Sequence, residues 1–389
     1  MIQEIARDIY SRQQEMLELL RRLVLIQSGS HNKAGLDSMA ESMSGIFSGL
    51  GMQSEVISFA HCGNMVIAGT PAAKKQKGIL LAGHMDTVFP EDTSFNYFRE
   101  DESNAYGPGV LDMKGGLVVA VFALKALANA GYLQDLPITV LCNSDEEVGS
   151  PYSRKLIESL CSRNNQALVL EGGGLQDQVV VGRKGKIGLQ VHVSGPGGHA
   201  GNYSGGDKPS AVLEAAHKVI ALEDLNSWPR VQVNVGRVDG GTRPNCIAEQ
   251  AFLEVDIRFE KASDEKALSD KISVILETPV VQGTGCTWKT VSCRPSMPEG
   301  GSGEILYDLA STAAGELGFS VGREVRGGVS DANFIAAMGV PVLDGLGPVG
   351  DHDHSHREYI IKDSLPRRCA LTAACILMAL GQSRGVQQD

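Results

Sequence analysis

A chain of 389 residues with 42% hydrophobic and 21% charged side chains has the composition of a folded globular protein and more apolar material than one core usually holds, so two domains are expected. Its 46 acidic against 35 basic residues give a formal net charge of -11, which argues against a general affinity for nucleic acid or an anionic membrane and favours a small-molecule substrate. The eight cysteines form no C-x-x-C pair and several lie in apolar runs, as reduced thiols do; the N-terminus, broken by charges every few residues, has neither a signal peptide's apolar core nor a membrane span, so a cytoplasmic protein is expected.

Ile2, Ile5, Ile9, Met16, Leu19, Leu20 and Leu23 recur near a period of about 3.6, which predicts an opening amphipathic helix. Short apolar runs then alternate with helical stretches: GILLAGHMD (78–86), a helix over 114–129, ITVLCNSDEE (138–147) and ALVLEGGG (167–174). That alternation predicts an α/β fold with a mostly parallel sheet and helices on both faces. From about Gly185 the pattern becomes KIGLQVHV, a helix over 210–222, VQVNVGRV, AFLEVDIRF, a helix over 264–277 and a strand over 286–292, a small α+β unit. A Pro/Gly/Ser-rich joint, CRPSMPEGGSG, leads to a further helix and the apolar strand GVPVLDGLG (339–347). The expected division is a discontinuous first domain, 1–183 with 297–389, and a second domain, 184–296, inserted into it.

In parallel α/β sheets ligands gather beyond the carboxyl ends of the strands, and four apolar runs end in ligand-type residues. They are His84 and Asp86; Asp145, Glu146 and Glu147; Glu171; and His352, His354 and His356, to which the loop GPGVLDMKGG adds Asp112. Two imidazoles and three carboxylates suit zinc, and also manganese or cobalt, and with one bridging carboxylate they suffice for two ions about 3.5–4 Å apart. His84 and Asp86 lie two apart, so in strand geometry Asp86 can accept the second ring N–H of His84 and fix its tautomer. Each motif alone has a plainer account: a hydrogen-bonded strand end, a solvated acidic turn, a loop histidine. Their joint occurrence at the strand ends of one domain outweighs those accounts.

These motifs, GHMDTVFP, GPGVLDMKGG, SDEEVGS, EGGG, GPGGHAG and HSHREYI, span nearly the whole chain and resemble those of the aminoacylase, glutamate carboxypeptidase and acetylornithine/succinyl-diaminopimelate deacylase family of di-zinc hydrolases. The resemblance implies a zinc-peptidase catalytic domain in which Asp112 bridges two Zn2+ ions, replaceable by Co2+ or Mn2+. His84 and Glu171 would hold one ion, Glu147 and the last histidine the other, and Glu146 would be the general base. The family's H-x-x-x-E tail is satisfied by His354 with Glu358, not by His352 or His356. The inserted unit resembles the family's lid and homodimer interface, in which His199 would reach the substrate. Arg258 and Asn245 would hold a substrate carboxylate. From the residues alone Arg258 shares its strand face with Glu254 and Asp256, and a surface salt bridge is the plainer account; the resemblance is what favours the carboxylate role.

The implied activity is cleavage of the amide bond of a small peptide or N-acyl amino acid with a free carboxylate, closest to glutamate carboxypeptidases, with an N-acyl amino acid deacylase as the alternative. A dinucleotide-binding oxidoreductase fails because no G-x-G-x-x-G follows an early strand, and a metal-free binding protein is disfavoured because Glu146 and all five ligand positions are present.

Overall fold

The computed structural model describes residues 1–205, 208–301 and 303–385. Ser302 of the predicted joint, and 386–389 at the end of the predicted first domain, lie outside the described residues. The chain forms two compact units: Met1–Gly182, Glu299–Arg326 and Ser330–Asp389; and Arg183–Pro298 with Gly327–Val329. No helix among the described residues is long and apolar enough to cross a membrane.

The first unit is built on a six-stranded sheet in the order Gln53–Ile57, Met65–Gly69, Ile138–Asn143, Gly78–His84, Asn164–Val169 and Val342–Leu343. Its last four strands run parallel and the first two antiparallel. The expected α/β class with a mostly parallel sheet is therefore what the chain adopts. Alternation along the strands explains two-sided burial: Ile79, Leu81, Val140 and Leu168 join the core beneath helices Lys114–Asn129 and Ser364–Gly385. Leu80, Ala82, Ala167 and Val169 are equally buried but lie outside that core cluster, and helices Arg154–Cys161 and Asp331–Ala337 contact the neighbouring strands. Helix Lys114–Asn129 is apolar nearly all round because both of its sides are covered. Gly116 seats its first turn against the end of the Asn164–Val169 strand; a Cβ there would lie 1.9 Å from the Leu170 carbonyl oxygen.

Two expected elements differ. The opening helix is two, Ile2–Tyr10 and Gln13–Val24, because the Ser11 hydroxyl donates to the Asp8 carbonyl and the Arg12 amide turns back to Ile9. Ile5, Ile9, Met16, Leu19, Leu20 and Leu23 are still its buried stripe. Of GVPVLDGLG only Val342–Leu343 pairs as a strand; Pro341 has no amide to donate and Gly345 turns the chain at a φ of 74°.

The second unit is an antiparallel sheet in the order Val231–Gly240, Gln250–Phe259, Gly185–Ser194 and Gly285–Arg294. Helices Ala211–Glu223 and Ala262–Glu277 cover its apolar face, closing a core of its own. Ser210 caps the first of them by accepting from the Leu213 amide. None of the eight cysteines forms a disulfide.

Candidate metal centre

Three neighbouring parallel strands put their carboxyl ends side by side: His84 closes one, Asp145–Glu147 follow the second and Glu171 the third. Asp112 arrives from the loop before helix Lys114–Asn129. Its two carboxylate oxygens divide the cluster. Oδ1 lies 3.0 Å from His84 Nε2, which is also 3.6 Å from Glu171 Oε1. Oδ2 lies 3.0 Å from His354 Nε2, which is also 3.2 Å from Glu147 Oε2. The two sets adjoin, since ligand atoms of His84, Asp112 and Glu147 lie within 4.8 Å of one another.

Burial and crowding set the electrostatics. Burial pulls the His84 imidazole down, but the carboxylates of Asp112, Asp86 and Glu171 hold it well above its ordinary value. Burial opposes ionisation of Asp112, yet bonds to His354 and His84 keep its carboxyl far below the usual range. Burial, then the Asp112 charge, push Glu147 up to about 7 and raise Glu171. Bonds to Asp112 and Glu147 lift half-exposed His354 to about 11. Like charges about 4 Å apart cost about 4 kcal/mol at an effective dielectric of about 20, so such a cluster calls for cations. Glu147 Oε1 is buried without a hydrogen-bond partner, an acceptor left for a ligand of another kind. The residues present fit divalent metal ions: oxygen and imidazole donors, one carboxylate shared between two sets and one orphaned oxygen.

The surroundings hold this geometry. His84 Nδ1 lies 3.0 Å from the main-chain oxygen of Asp86 and 3.4 Å from its carboxylate, so the carbonyl is the nearer acceptor where the sequence pointed to the side chain. The fully buried Asp86 carboxylate accepts instead from the amides of Glu146 (3.2 Å) and Glu147 (3.1 Å) and from the Ser30 hydroxyl (2.8 Å). Glu146 is thereby fixed beside Glu147 and is 9% exposed. Glu358 accepts from the amides of Gly109, Leu111 and Asp112, and burial pushes its carboxyl up to about 8 despite those donors. Lys114, buried beside the same loop, donates to the Ile26 carbonyl, and burial pulls its ammonium down to about 7.

Among the three tail histidines only His354 meets the carboxylates. His352 turns toward Asp351 and the Tyr359 ring, and His356 stacks on Phe95 at 5.5 Å. His352 and His354 both sit in the left-handed region, at φ of 64° and 57°, so the loop is bent tightly to present one imidazole. Asp353, between them, also has a carboxylate oxygen within 4.8 Å of the donors of Asp112 and His354. Sequence reasoning missed Ser30 and Asp353 as neighbours of the centre, and named Glu358 only as the end of a motif. The D-H-D-H-S-H run carried a signal for Asp353; nothing marked Ser30.

The other expected residues belong to the second unit. His199 pairs in register with Cys246, and the Ala200 amide donates to the Asn245 carbonyl, so His199 and Asn245 are neighbours. His199 Nδ1 accepts from the Gly201 amide (3.1 Å), which in the neutral ring leaves the proton on Nε2. His199 lines a cavity of about 820 Å³ with His192, Thr242 and Phe252. Arg258 is paired within its own strand: Nε and Nη2 donate to the two Asp256 oxygens at 2.6 and 3.1 Å, and Nη1 to the Gly327 carbonyl at 3.2 Å. The face opposite is the buried set Ala251, Leu253, Val255, Ile257 and Phe259.

Comparison with known proteins identifies the scaffold. The profile of peptidase family M20/M25/M40 matches residues 80–378. Carboxypeptidase G2 of Pseudomonas sp. (strain RS-16) is 30% identical over 380 residues, covering 96% of this chain and 91% of that protein. A succinyl-diaminopimelate desuccinylase of Nitrosococcus oceani is 26% identical over 361 residues, covering 88% and 93%. Among solved structures, a tripeptidase of Staphylococcus aureus superposes with a TM-score of 0.78 at 21% identity over 95% of this chain and 99% of its own. The chain belongs to peptidase family M20/M25/M40 and is a metal-dependent hydrolase.

Proposed function

We propose that this hydrolase is a carboxypeptidase-like enzyme that cleaves the amide bond of a small peptide or N-acyl amino acid bearing a free carboxylate. The observation that carries the reading is Asp112, whose two oxygens serve two separate imidazole–carboxylate sets. In this reading His84, Glu171 and Asp112 hold one Zn2+ and His354, Glu147 and Asp112 the other, with Co2+ or Mn2+ as substitutes. The bound ions supply Lewis acidity, lowering the pKa of water to about 7 and polarising the scissile carbonyl. Glu146 removes a proton from the attacking water and returns it to the leaving amine. His199, with its proton on Nε2, donates to the oxyanion as it develops. Arg258 exchanges its Asp256 partner for the substrate carboxylate, which its planar fork can grip at two points, and Asn245 assists. Asp86 keeps the backbone of both glutamates in place. The protein is read as cytoplasmic and as a homodimer through the second unit.

Arg258→Lys, which keeps the charge and loses the fork, is expected to raise KM clearly, with substrates whose carboxylate is amidated cleaved poorly by both proteins. Unchanged kinetics, or equal cleavage of amidated substrates, would return Arg258 to a strand-surface ion pair. The second reading, an N-acyl amino acid deacylase, is favoured by the similarity to a succinyl-diaminopimelate desuccinylase and differs only in which acyl group is taken.

A further inference from the structure

The three glycines that follow Glu171 in EGGG have no part in the mechanism above. Beyond the strand Asn164–Val169, Glu171–Gly174 lies beside Gly345–Val349: the Gly347 amide donates to the Glu171 carbonyl at 2.8 Å, the Gly173 amide to the Pro348 carbonyl at 2.9 Å, and Gly173 bridges Val349. These bonds hold the backbone from which Glu171 Oε1 comes within 3.6 Å of His84 Nε2.

A buried cation lies against both segments. Arg368, in the second turn of helix Ser364–Gly385, is 0% exposed. Its Nη1 donates to the Gly345 carbonyl at 3.5 Å and its Nη2 to the Gln178 carbonyl at 3.0 Å. The Gln178 carbonyl also accepts from the Gly174 amide at 3.0 Å, so the guanidinium and the glycine run share one acceptor. At Gly173 a Cβ would stand 2.4 Å from Nη2 and 2.8 Å from Cζ, so glycine is what leaves room for the guanidinium. The start of the same helix holds the other segment, since the Ser364 hydroxyl accepts from the Val349 amide at 2.9 Å. The charge itself is poorly matched: Asp177 Oδ1 stands 3.8 Å off, and Nε is buried with no hydrogen-bond partner. An apolar side chain of similar volume would fill this space at lower cost, so packing alone does not explain an arginine here.

We infer that Arg368 is a positioning residue of the metal centre: it braces the Glu171–Gly174 and Gly345–Val349 segments and thereby sets where the Glu171 carboxylate stands in the donor set of His84 and Asp112. Glu171 as a metal donor, from the proposed function, is the premise on which this role rests. The second donor set should feel a change at Arg368 least. Glu147 comes from another strand end, and the His354 loop is closed by the pairing of Gly350 and Asp351 with Ile360 and Tyr359.

The test is competition for Zn2+ between a chromophoric chelator and the metal-stripped full chain, which yields an affinity for each of the two ions, with far-ultraviolet dichroism for the folded fraction and a thermal midpoint for stability. Glu171→Ala identifies the ion that depends on Glu171. Arg368→Met, which keeps the length and loses charge and fork, is expected to weaken that same ion by about tenfold or more and to leave the other within about threefold. Gly173→Ala, which puts a methyl where the guanidinium lies, should do likewise, and the double variant should lose less than the product of the two single losses, because both act through one contact. Arg368→Lys, which keeps the charge without the fork, should fall between the native protein and Arg368→Met; with Gly173→Ala it carries the test if Arg368→Met does not fold. A lowered thermal midpoint with native affinity for both ions, or equal weakening of both, would overturn the role and leave Arg368 a packing residue. If Glu171→Ala weakens one ion that no Arg368 or Gly173 variant touches, the positioning role alone is lost; if Glu171→Ala weakens neither, Glu171 is no donor and the role falls with it.

Discussion

Glu146 and Glu147 are adjacent, chemically alike, and anchored through their amides to the same Asp86 carboxylate, and Glu147 has one carboxylate oxygen 3.2 Å from His354 Nε2 and the other left without a hydrogen-bond partner. Their proposed duties differ, and they should fail differently. Glu147→Ala is expected to lose metal and activity together. Glu146→Gln should keep its full complement of metal and still bind substrate while turnover falls by at least about 10²–10⁴-fold, the range for loss of a general base. Metal stoichiometry beside turnover for both variants decides it; a Glu146→Gln protein with near-native turnover, or one that loses metal while Glu147→Ala keeps it, would reverse the roles. At this scale the sequence was partly legible. The spacing of His84 and Asp86 implied an orienting bond, but whether carbonyl or carboxylate would be nearer depends on a turn no spacing encodes. Of the three tail histidines the H-x-x-x-E spacing singled out His354 with Glu358, but what turns the others away, His352 toward Asp351 and Tyr359 and His356 onto Phe95, left no mark in the sequence.

The loop that carries Asp112 is held from the far end of the chain. Three amide hydrogen bonds, from Gly109, Leu111 and Asp112, converge on Glu358, four residues after His354, so one short stretch both supplies a ligand-type imidazole and fixes the shared carboxylate. Glu358→Gln replaces an acceptor oxygen with a donor facing those amides, and metal affinity should fall by about 10–100-fold with helix content retained, as for partners that orient metal ligands. Chelator competition beside far-ultraviolet dichroism reads both; native affinity would reduce Glu358 to a packing residue. Among elements, long apolar runs and strict alternation were legible because burial on two faces or one leaves those patterns: Gly78–His84, Ile138–Asn143 and Gln250–Phe259 lie where the pattern put them. The antiparallel pair Gln53–Ile57 and Met65–Gly69 was not, since QSEVI is exposed on one side and MVIAG is too short to show a period. Ser11, an ordinary residue in an otherwise continuous helical stripe, gave no warning of the break it makes.

At the scale of the whole molecule, the centre is an edge feature of a scaffold whose large hydrophobic core, from Ile5 to Leu380, owes nothing to the ligands. Removal of metal by a chelator should therefore abolish hydrolysis while the far-ultraviolet dichroism spectrum persists, unlike small domains that fold only around their metal. Collapse of that spectrum on chelation would mean that the centre stabilises the fold. If one carboxylate, Asp112, joins two metal sites, metal content per chain, by elemental analysis after removal of loosely bound ions, must differ between the native protein and Asp112→Ala. Two ions are expected per native chain and fewer than one in the variant, because loss of Asp112 weakens both donor sets at once. One ion per native chain, or two retained without Asp112, would contradict it.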